Sequence, residues 1–193
     1  GTHKRNMSDG FEAHGEYIIA TDGCYPQPPT RAVHAGVHMW GNAVILAISG
    51  LARSVMTSTA DIEIQAASAN VMVGVHNRDM MMDIGHAQLA PTVVFCDSLS
   101  ATQLCNGASP TRSRHIARRI AYVADKVDDG EFIFKHVPDE DNPADFLTKW
   151  VPPKKFRASV KYIFNLSNAI VKDVFASAFP SQCSRPMRST HRL

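Results

Sequence analysis

Two short apolar runs, each ending in an aspartate, constrain the fold of this 193-residue chain more than any other feature. The first spans 17–21 and is followed by Asp22 and Gly23, and the second spans 91–96 and is followed by Asp97. Such runs are typical of strands that are buried on both faces. Asp22-Gly23 is also an ordinary turn dipeptide, so this stretch alone leaves open both a turn and a metal-binding carboxylate. We expect Gly23 to let the chain leave the strand in a turn.

The segments before residue 91 predict a hairpin followed by helices. Residues 33–40 and 43–51 are predicted as antiparallel strands joined at Gly41-Asn42, and we expect them to pair with the first strand. A helix is predicted from about residue 60 to 72, with Ser58 or Thr59 as its cap, and a second helical piece from 78 to 84.

The segments after residue 97 alternate between helix and strand. We predict helices at 98–105 and 112–128, a strand at 131–137, the start of a helix at 144–150, and a terminal helix at 156–166 after the interruption at Pro152-Pro153. Hairpin strands followed by strand–helix–strand units imply an α/β fold, a mixed five-stranded sheet with helices on both faces.

The length and the distribution of polar residues suggest one domain with appendages. We expect a flexible lead-in at 1–14, the domain at 15–150, a connector and C-terminal helix at 151–171, and a basic, mobile tail at 172–193. The net charge of +2 is too small to indicate a nucleic-acid partner by itself. None of the four cysteines forms a CxxC pair, which argues against a zinc site.

Four carboxylates stand out by their positions. Asp22 and Asp97 end strands that can lie side by side and parallel, which would place both acids at one edge of the sheet. Glu63 lies in the first turns of the predicted helix, and Asp145 follows an acidic loop. Clustered carboxylates need a cation to neutralise them, and hard oxygen ligands suit Mg²⁺ or Mn²⁺. Two such ions can support phosphodiester hydrolysis.

Several short sequence motifs resemble those of the ribonuclease H domains of copia-type retrotransposons. Thr21-Asp22-Gly23 follows the first strand as in ribonuclease H domains generally. STADIE at 58–63 is similar to the family's SSTEAE, FCDSLSA at 95–101 to its YCDNQSA, and RSRHI at 112–116 to its RTKHI. HVP at 136–138 and NPADFLTK at 142–149 resemble its closing HVP and ADILTK. These matches occur in the family's order between about residues 17 and 165.

The resemblance implies a ribonuclease H-like fold and an endonuclease that hydrolyses the RNA strand of RNA–DNA hybrids with two Mg²⁺ or Mn²⁺ ions. The catalytic and metal-binding set that it carries over is Asp22, Glu63, Asp97 and Asp145. Asp61 matches an acid of the family word, but we interpret it as favourable charge at a helix N-terminus. The resemblance also implies a partner, the polymerase domain of a reverse transcriptase, and an intracellular location in the cytoplasm, a virus-like particle or the nucleus. No membrane association or secretion signal is expected.

Contacts to the hybrid are expected from hydroxyls and cations near the acids, since phosphates and 2′-hydroxyls are what such an enzyme must recognise. The basic helix stretch could equally be an ordinary solvated face, and Ser98 could serve as a helix cap. His136 lies where a strand should end, so a structural or solvent-facing position is favoured for it over a role in product release. The predicted nucleic-acid-binding residues are Ser98, Ser100, Arg112, Arg114, His115, Arg118, Arg119 and Lys149.

Two other functions stay open at this stage. The chain could be a catalytically silent ribonuclease H-like module, recruited as a structural or interaction component of a larger assembly with its acids retained. It could also be another nuclease of the same fold, of the integrase or junction-cutting type, although the copia-type words argue against this.

Overall fold

The structure, a computed structural model, describes residues 16–26, 30–41, 43–53, 55–107 and 116–164. Five strands form one sheet in the order β3-β2-β1-β4-β5. The β1–β2 and β2–β3 pairs are antiparallel, whereas β1–β4 and β4–β5 are parallel. The mixed sheet is therefore confirmed. Its strands are β1 (Tyr17–Cys24), β2 (Val33–Trp40), β3 (Ala43–Leu51), β4 (Thr92–Cys96) and β5 (Phe132–His136).

Helices cover both faces of this sheet, as predicted. The helices are α1 (Thr59–Asp83), α2 (Leu99–Cys105), α3 (Ala117–Asp128) and α4 (Pro153–Ile163). Side chains alternate along β1, so that Tyr17 and Ile19 pack into a core with α1, α2 and α3. Ile18 and Ala20 point to the other face and pack against Ile163 of α4 and the segment around residues 144–147. The first strand is thus buried on both faces.

Helix α1 is one continuous helix of 25 residues, which corrects the prediction of two helical pieces. The Ser58 hydroxyl caps it by accepting a hydrogen bond from the Asp61 backbone N–H at 3.2 Å. Residues 73–77, between the two predicted pieces, are mixed in polarity, and the polar Asn77 among them is buried. The apolar pattern is therefore interrupted at a point where the helix itself continues.

The C-terminal segments also differ from the prediction. Instead of the start of a helix at 144–150, a single 3₁₀ turn spans Asp145–Leu147. The Thr148 backbone N–H donates a hydrogen bond to the Asp145 carbonyl at 3.2 Å, which closes this turn, and Pro152 and Pro153 follow shortly afterwards. Helix α4 begins at Pro153 and not at residue 156, because a proline is well tolerated in the first turn of a helix.

Several predictions lie outside the described residues. They are the lead-in at 1–14, the tail at 172–193, the part of the connector after residue 164, and the site residues Arg112, Arg114 and His115. In the part of the chain that the structure describes, no helix combines the length and the apolar character that a membrane span requires.

Candidate metal centre and active site

The parallel pairing of β1 and β4 brings two of the predicted acids together. Thr21 is the register partner of Cys96, so Asp22 and Asp97, the next residues of each chain segment, lie at the same edge of the sheet. Asp22 is buried at 2% exposure, although it lies at this edge. The sheet itself therefore positions these two carboxylates.

Gly23 allows α1 to come close to this edge. It belongs to β1, which corrects its prediction as a turn residue. A Cβ atom built on Gly23 would lie 2.9 Å from the backbone carbon and oxygen of Ile62 and 3.0 Å from the Glu63 nitrogen. Only a residue without a side chain fits at such a distance. This close approach carries the Glu63 carboxylate to the ends of β1 and β4, where it is 4% exposed.

Asp145 reaches the same edge through its loop. The Asn142 side-chain amide donates a hydrogen bond to the Thr21 carbonyl at 3.0 Å, and its oxygen accepts one from the Ala144 backbone N–H at 3.1 Å. The Thr148 hydroxyl donates to the Asp22 carboxylate. These bonds fix the loop against β1 and leave Asp145 fully buried.

The structure thus brings all four predicted acids together, and we call them the carboxylate cluster. Carboxylate oxygens of three members, Asp22, Asp97 and Asp145, lie within 4.8 Å of one another. Glu63 joins the cluster through Asp97, since oxygens of both lie within 4.8 Å of each other and of the Cys96 sulfur. An open pocket of about 430 Å³ adjoins the cluster, lined among others by Asp22, Glu63, Asp97, Ser98 and Lys149.

Burial and mutual repulsion raise the pKa values of the cluster. Burial, followed by repulsion from Asp97 and Asp22, raises the pKa of Glu63 to about 9. Burial raises the pKa of Asp22 to about 7, against the opposing effect of the hydrogen bond from Thr148. The pKa of Asp97 is also raised, by burial first and then by the charge of Asp139. The site therefore resists full ionisation in the absence of a cation.

Two lysines pair with the most deeply buried acid. The Lys149 ammonium contacts Asp145 Oδ1, and the Lys155 ammonium lies 2.5 Å from Asp145 Oδ2. Both lysines also pair with Asp139 at 3.0 Å. Burial by itself would lower the pKa of Lys149, but its hydrogen bonds to Asp145 and Asp139 raise it above its usual value.

The donors of the cluster fit hard divalent cations. They are carboxylate oxygens, which Mg²⁺ and Mn²⁺ prefer. Asp97 Oδ1 is buried, and within the described ranges no group makes a hydrogen bond to it. A buried carboxylate oxygen without a donor is costly unless a cation satisfies it.

The predicted nucleic-acid-binding residues are only partly near the cluster. Ser98 lines the pocket, and its hydroxyl caps α2 by accepting from the Ala101 N–H at 3.2 Å. The Ser100 hydroxyl lies 3.1 Å from that of Ser98. On α3, Arg118 is exposed, whereas Arg119 forms a 3.8 Å ion pair with Asp61 at the start of α1. Asp61 lies in the first turn of α1, and its interpretation as helix-terminal charge stays a prediction.

Sequence reasoning missed the residues that support the cluster. Asn142 and Thr148 hold the Asp145 loop, and Lys155 and Asp139 complete the ion pairs. The Asn142-Pro143 pair signals a turn, but its hydrogen bond to Thr21 joins positions 121 residues apart and has no local signal. His136 is exposed and its Nε2 donates to the Asp97 carbonyl at 3.0 Å, a structural contact.

The chain is similar to plant transposon proteins over part of its length. It is 32% identical over 121 residues to the retrovirus-related Pol polyprotein from transposon TNT 1-94 of Nicotiana tabacum, which covers 62% of the chain and 9% of that polyprotein. It is 34% identical over 71 residues to the corresponding polyprotein from transposon RE1 of Arabidopsis thaliana, covering 36% and 5%. The chain therefore spans less than a tenth of these relatives. No protein-family model matches it.

Solved structures share its fold at low sequence identity. The compost-derived LC11-RNase H1 matches with a TM-score of 0.56 and 22% identity over 69% of this chain and 93% of its own. LC11-RNase H1 in complex with an RNA/DNA hybrid gives 0.53, with 20% identity over 69% and 94%. The prototype foamy virus protease-reverse transcriptase gives 0.50, with 15% identity over 71% and 21%. The chain is therefore a homologue of a short section of plant transposon Pol polyproteins, and its fold is that of ribonuclease H domains.

Proposed function

We propose that this chain is a metal-dependent endonuclease that hydrolyses the RNA strand of RNA–DNA hybrids. The observation that carries the proposal is the convergence of four carboxylates from four separate segments at one edge of a ribonuclease H fold. Such a cluster costs stability, because its members are buried and repel one another, and a catalytic role accounts for that cost. The similarity to a ribonuclease H that binds an RNA/DNA hybrid supports the substrate class.

In this proposal Asp22, Glu63, Asp97 and Asp145 hold two Mg²⁺ or Mn²⁺ ions. When bound, such ions activate a water and stabilise the leaving oxygen of a phosphodiester. The protein's own part is to fix the carboxylates in advance. Thr148 orients Asp22, and Asn142 holds the Asp145 loop against β1.

Substrate binding in this proposal relies on the pocket beside the cluster. The Ser98 and Ser100 hydroxyls can meet phosphate or 2′-hydroxyl oxygens, and Lys149 supplies positive charge at the pocket wall. The remaining predicted contacts, from Arg112, Arg114, His115, Arg118 and Arg119, stay predictions. Affinity from such cations should fall steeply with salt.

The proposal includes a polymerase domain as a partner. The plant relatives are Pol polyproteins of which this chain matches less than a tenth, and the foamy virus neighbour is a protease-reverse transcriptase. A reverse transcriptase produces RNA–DNA hybrids as it copies RNA, so a nuclease of this specificity beside it would have its substrate at hand.

A cleavage assay with three substrates tests the proposal. The protein is incubated with labelled RNA–DNA hybrid, duplex DNA or duplex RNA in the presence of Mg²⁺ or Mn²⁺. Asp97→Asn is compared with Asp125→Asn, which removes the same charge from the exposed side of α3. We expect cleavage of the RNA strand of the hybrid, a loss of at least about a hundredfold in Asp97→Asn, and no loss in Asp125→Asn.

Other outcomes would replace the proposal. If the folded protein cleaves none of the three substrates at high concentration, a catalytically silent module is the better description. Cleavage of duplex DNA would instead favour another nuclease of the same fold. Hybrid cleavage that Asp97→Asn retains would remove the carboxylate cluster from the mechanism.

A further inference from the structure

Asp145 is paired with two lysines at the place where the proposed function requires a cation. The Asp145 side chain is 1% exposed, and each of its two oxygens faces a lysine ammonium, Oδ1 that of Lys149 and Oδ2 that of Lys155. A buried carboxylate requires such compensation. Both oxygens that would bind a cation are therefore already neutralised by the protein itself.

The two lysines are held differently. The Lys155 side chain is 15% exposed, and its ammonium also donates to the Asp139 backbone carbonyl at 2.6 Å and to Asp139 Oδ2 at 3.0 Å. The Lys149 side chain is 40% exposed, lines the open pocket, and pairs only with side-chain carboxylates among the contacts described. Moving Lys149 into the pocket breaks fewer contacts than moving Lys155 does. The Lys149 side chain is also already more exposed to solvent.

A divalent cation at Asp145 conflicts with an ammonium at the same oxygen. Two positive charges a few ångströms apart in a poorly hydrated site repel each other strongly. If the proposed function is right, on which this inference rests, one lysine has to leave when the cation binds. The difference in anchoring identifies that lysine as Lys149.

We propose that Lys149 is a built-in counter-ion of Asp145, which a divalent cation displaces into the pocket, while Lys155 stays as a positioning residue for the carboxylate. The displaced ammonium remains at the pocket wall, where the substrate's phosphates would lie. Cation binding at Asp145 thus releases a positive charge toward the nucleic acid. Binding of the cation and binding of the hybrid then favour each other, because each takes one partner of the same ion pair.

Isothermal titration calorimetry with Mn²⁺ alone tests this displacement without any activity measurement. The variants are Lys149→Gln, Lys149→Arg, which keeps the charge, and Lys154→Gln, which removes a charge from the exposed side of α4. The proposed site binds two Mn²⁺ ions. We expect Lys149→Gln to bind the weaker-binding ion of the two about threefold to tenfold more tightly than the wild type does. Lys149→Arg and Lys154→Gln should bind as the wild type does.

Lys155→Gln is expected to behave in the opposite way. Asp145 then loses the contact that positions it, so its affinity for Mn²⁺ should fall, and the metal-free protein should melt at a lower temperature. Thermal melting of each variant without metal verifies folding. A charge-retaining Lys155→Arg should recover most of the melting temperature.

The outcomes separate this inference from the proposed function. If the wild type binds Mn²⁺ and Lys149→Gln binds it no more tightly than Lys154→Gln, the counter-ion role is wrong while the nuclease proposal stands. Weaker binding by Lys149→Gln would make Lys149 a second positioning residue and also overturn the displacement. If the folded wild type binds no divalent ion, both the two-metal proposal and this inference fall.

Discussion

Two buried polar clusters lie along the same pair of elements, β1 and α1, and they follow opposite rules. The carboxylate cluster lies at the end of β1, near the start of α1. The second cluster extends from Tyr17 at the start of β1 to Asn70 near the middle of α1, and it contains no charged group. We call it the neutral network and define it by Tyr17, His38, Asn70 and Asn77, all at most 6% exposed.

The neutral network satisfies its own hydrogen bonds. The Asn70 amide nitrogen donates to the carbonyls of Ala35 and Ala66 at 3.0 and 2.8 Å, which leaves its oxygen to accept from His38 Nε2 at 3.0 Å. His38 Nδ1 then accepts from the Tyr17 hydroxyl at 2.6 Å. The Tyr17 oxygen accepts in turn from the Asn77 amide at 2.8 Å. Each donor meets an acceptor, so the network stabilises the fold without a ligand.

The carboxylate cluster does not satisfy itself. Its members accept hydrogen bonds but have too few donors, and their pKa values are raised because burial and repulsion oppose ionisation. The neutral network is therefore complete by itself, whereas the carboxylate cluster has the features of a site built for a cation.

The largest expected effect is on activity after Asp22→Asn. Asparagine keeps the shape and can still accept the hydrogen bond from Thr148, but it removes one carboxylate from the cluster. Hybrid cleavage should fall by at least about a hundredfold. The metal-free protein at pH 8 should at the same time gain stability, on the order of 2 kcal/mol, because a buried, repelled charge is gone. Cleavage rates and urea unfolding with EDTA measure the two effects.

Asp83→Asn is the matched control for Asp22→Asn, because this exposed acid at the end of α1 lies outside both clusters. It should change neither rate nor stability appreciably. If Asp22→Asn destabilises the metal-free protein, the carboxylate cluster is held together more like the neutral network than we infer.

The sequence predicted one of these clusters much better than the other. Asp22 and Asp97 each follow an apolar run, and motifs that resemble the copia-type family contain Glu63 and Asp145. Local sequence signals therefore identify all four acids. The neutral network has no such signal. His38 and Asn70 are 32 residues apart, and only the packing of α1 across β1 and β2 brings them together.

The fold shows the same division. Strands and capped helices follow from local pattern, and β2 and β3 lie at the predicted positions. Features that depend on distant contacts were wrong: the break in α1, the turn at Gly23 and the helix at 144–150. The polar residues inside α1 look like an interruption until their partners on the sheet are known.

The next largest effect is the acid sensitivity of the neutral network. Burial lowers the pKa of His38 to about 4 from its usual 6.5. The unfolded chain therefore takes up a proton below pH 6.5, whereas the folded protein does so only near pH 4. Stability from His38 is complete above pH 6.5 and is lost as the pH falls to 4, by about 3 kcal/mol. Urea unfolding between pH 7 and pH 4 measures this loss.

His38→Gln isolates the contribution of this histidine, and His76→Gln, on the exposed side of α1, serves as its control. The pH dependence should become shallower in the first variant and stay unchanged in the second. An equally steep loss in His38→Gln would place the acid sensitivity elsewhere in the molecule and weaken the contrast between the clusters.

The smallest expected effect is a loss of stability with rising pH, and it comes from the carboxylate cluster. The pKa values of Asp22 and Glu63 rise to about 7 and about 9, above their unfolded values of 3.8 and 4.5. Their folded forms hold protons that the unfolded chain releases, so stability is complete below pH 4 and is lost as the pH rises through 7 and 9. Mg²⁺ binds the ionised form and should restore what is lost.

Melting curves with Mg²⁺ or EDTA at matched ionic strength test this expectation. Mg²⁺ should raise the melting temperature by about 3 to 5 °C more at pH 9 than at pH 6, because the cation competes with protons at the lower pH. Asp22→Asn should reduce the difference, whereas His38→Gln should preserve it because the neutral network binds no cation. Equal stabilisation at both pH values would mean that the metal-free cluster is already ionised at pH 6. The lysines beside Asp145 would then neutralise the whole cluster, and the two buried polar sites would differ less than their pKa values indicate.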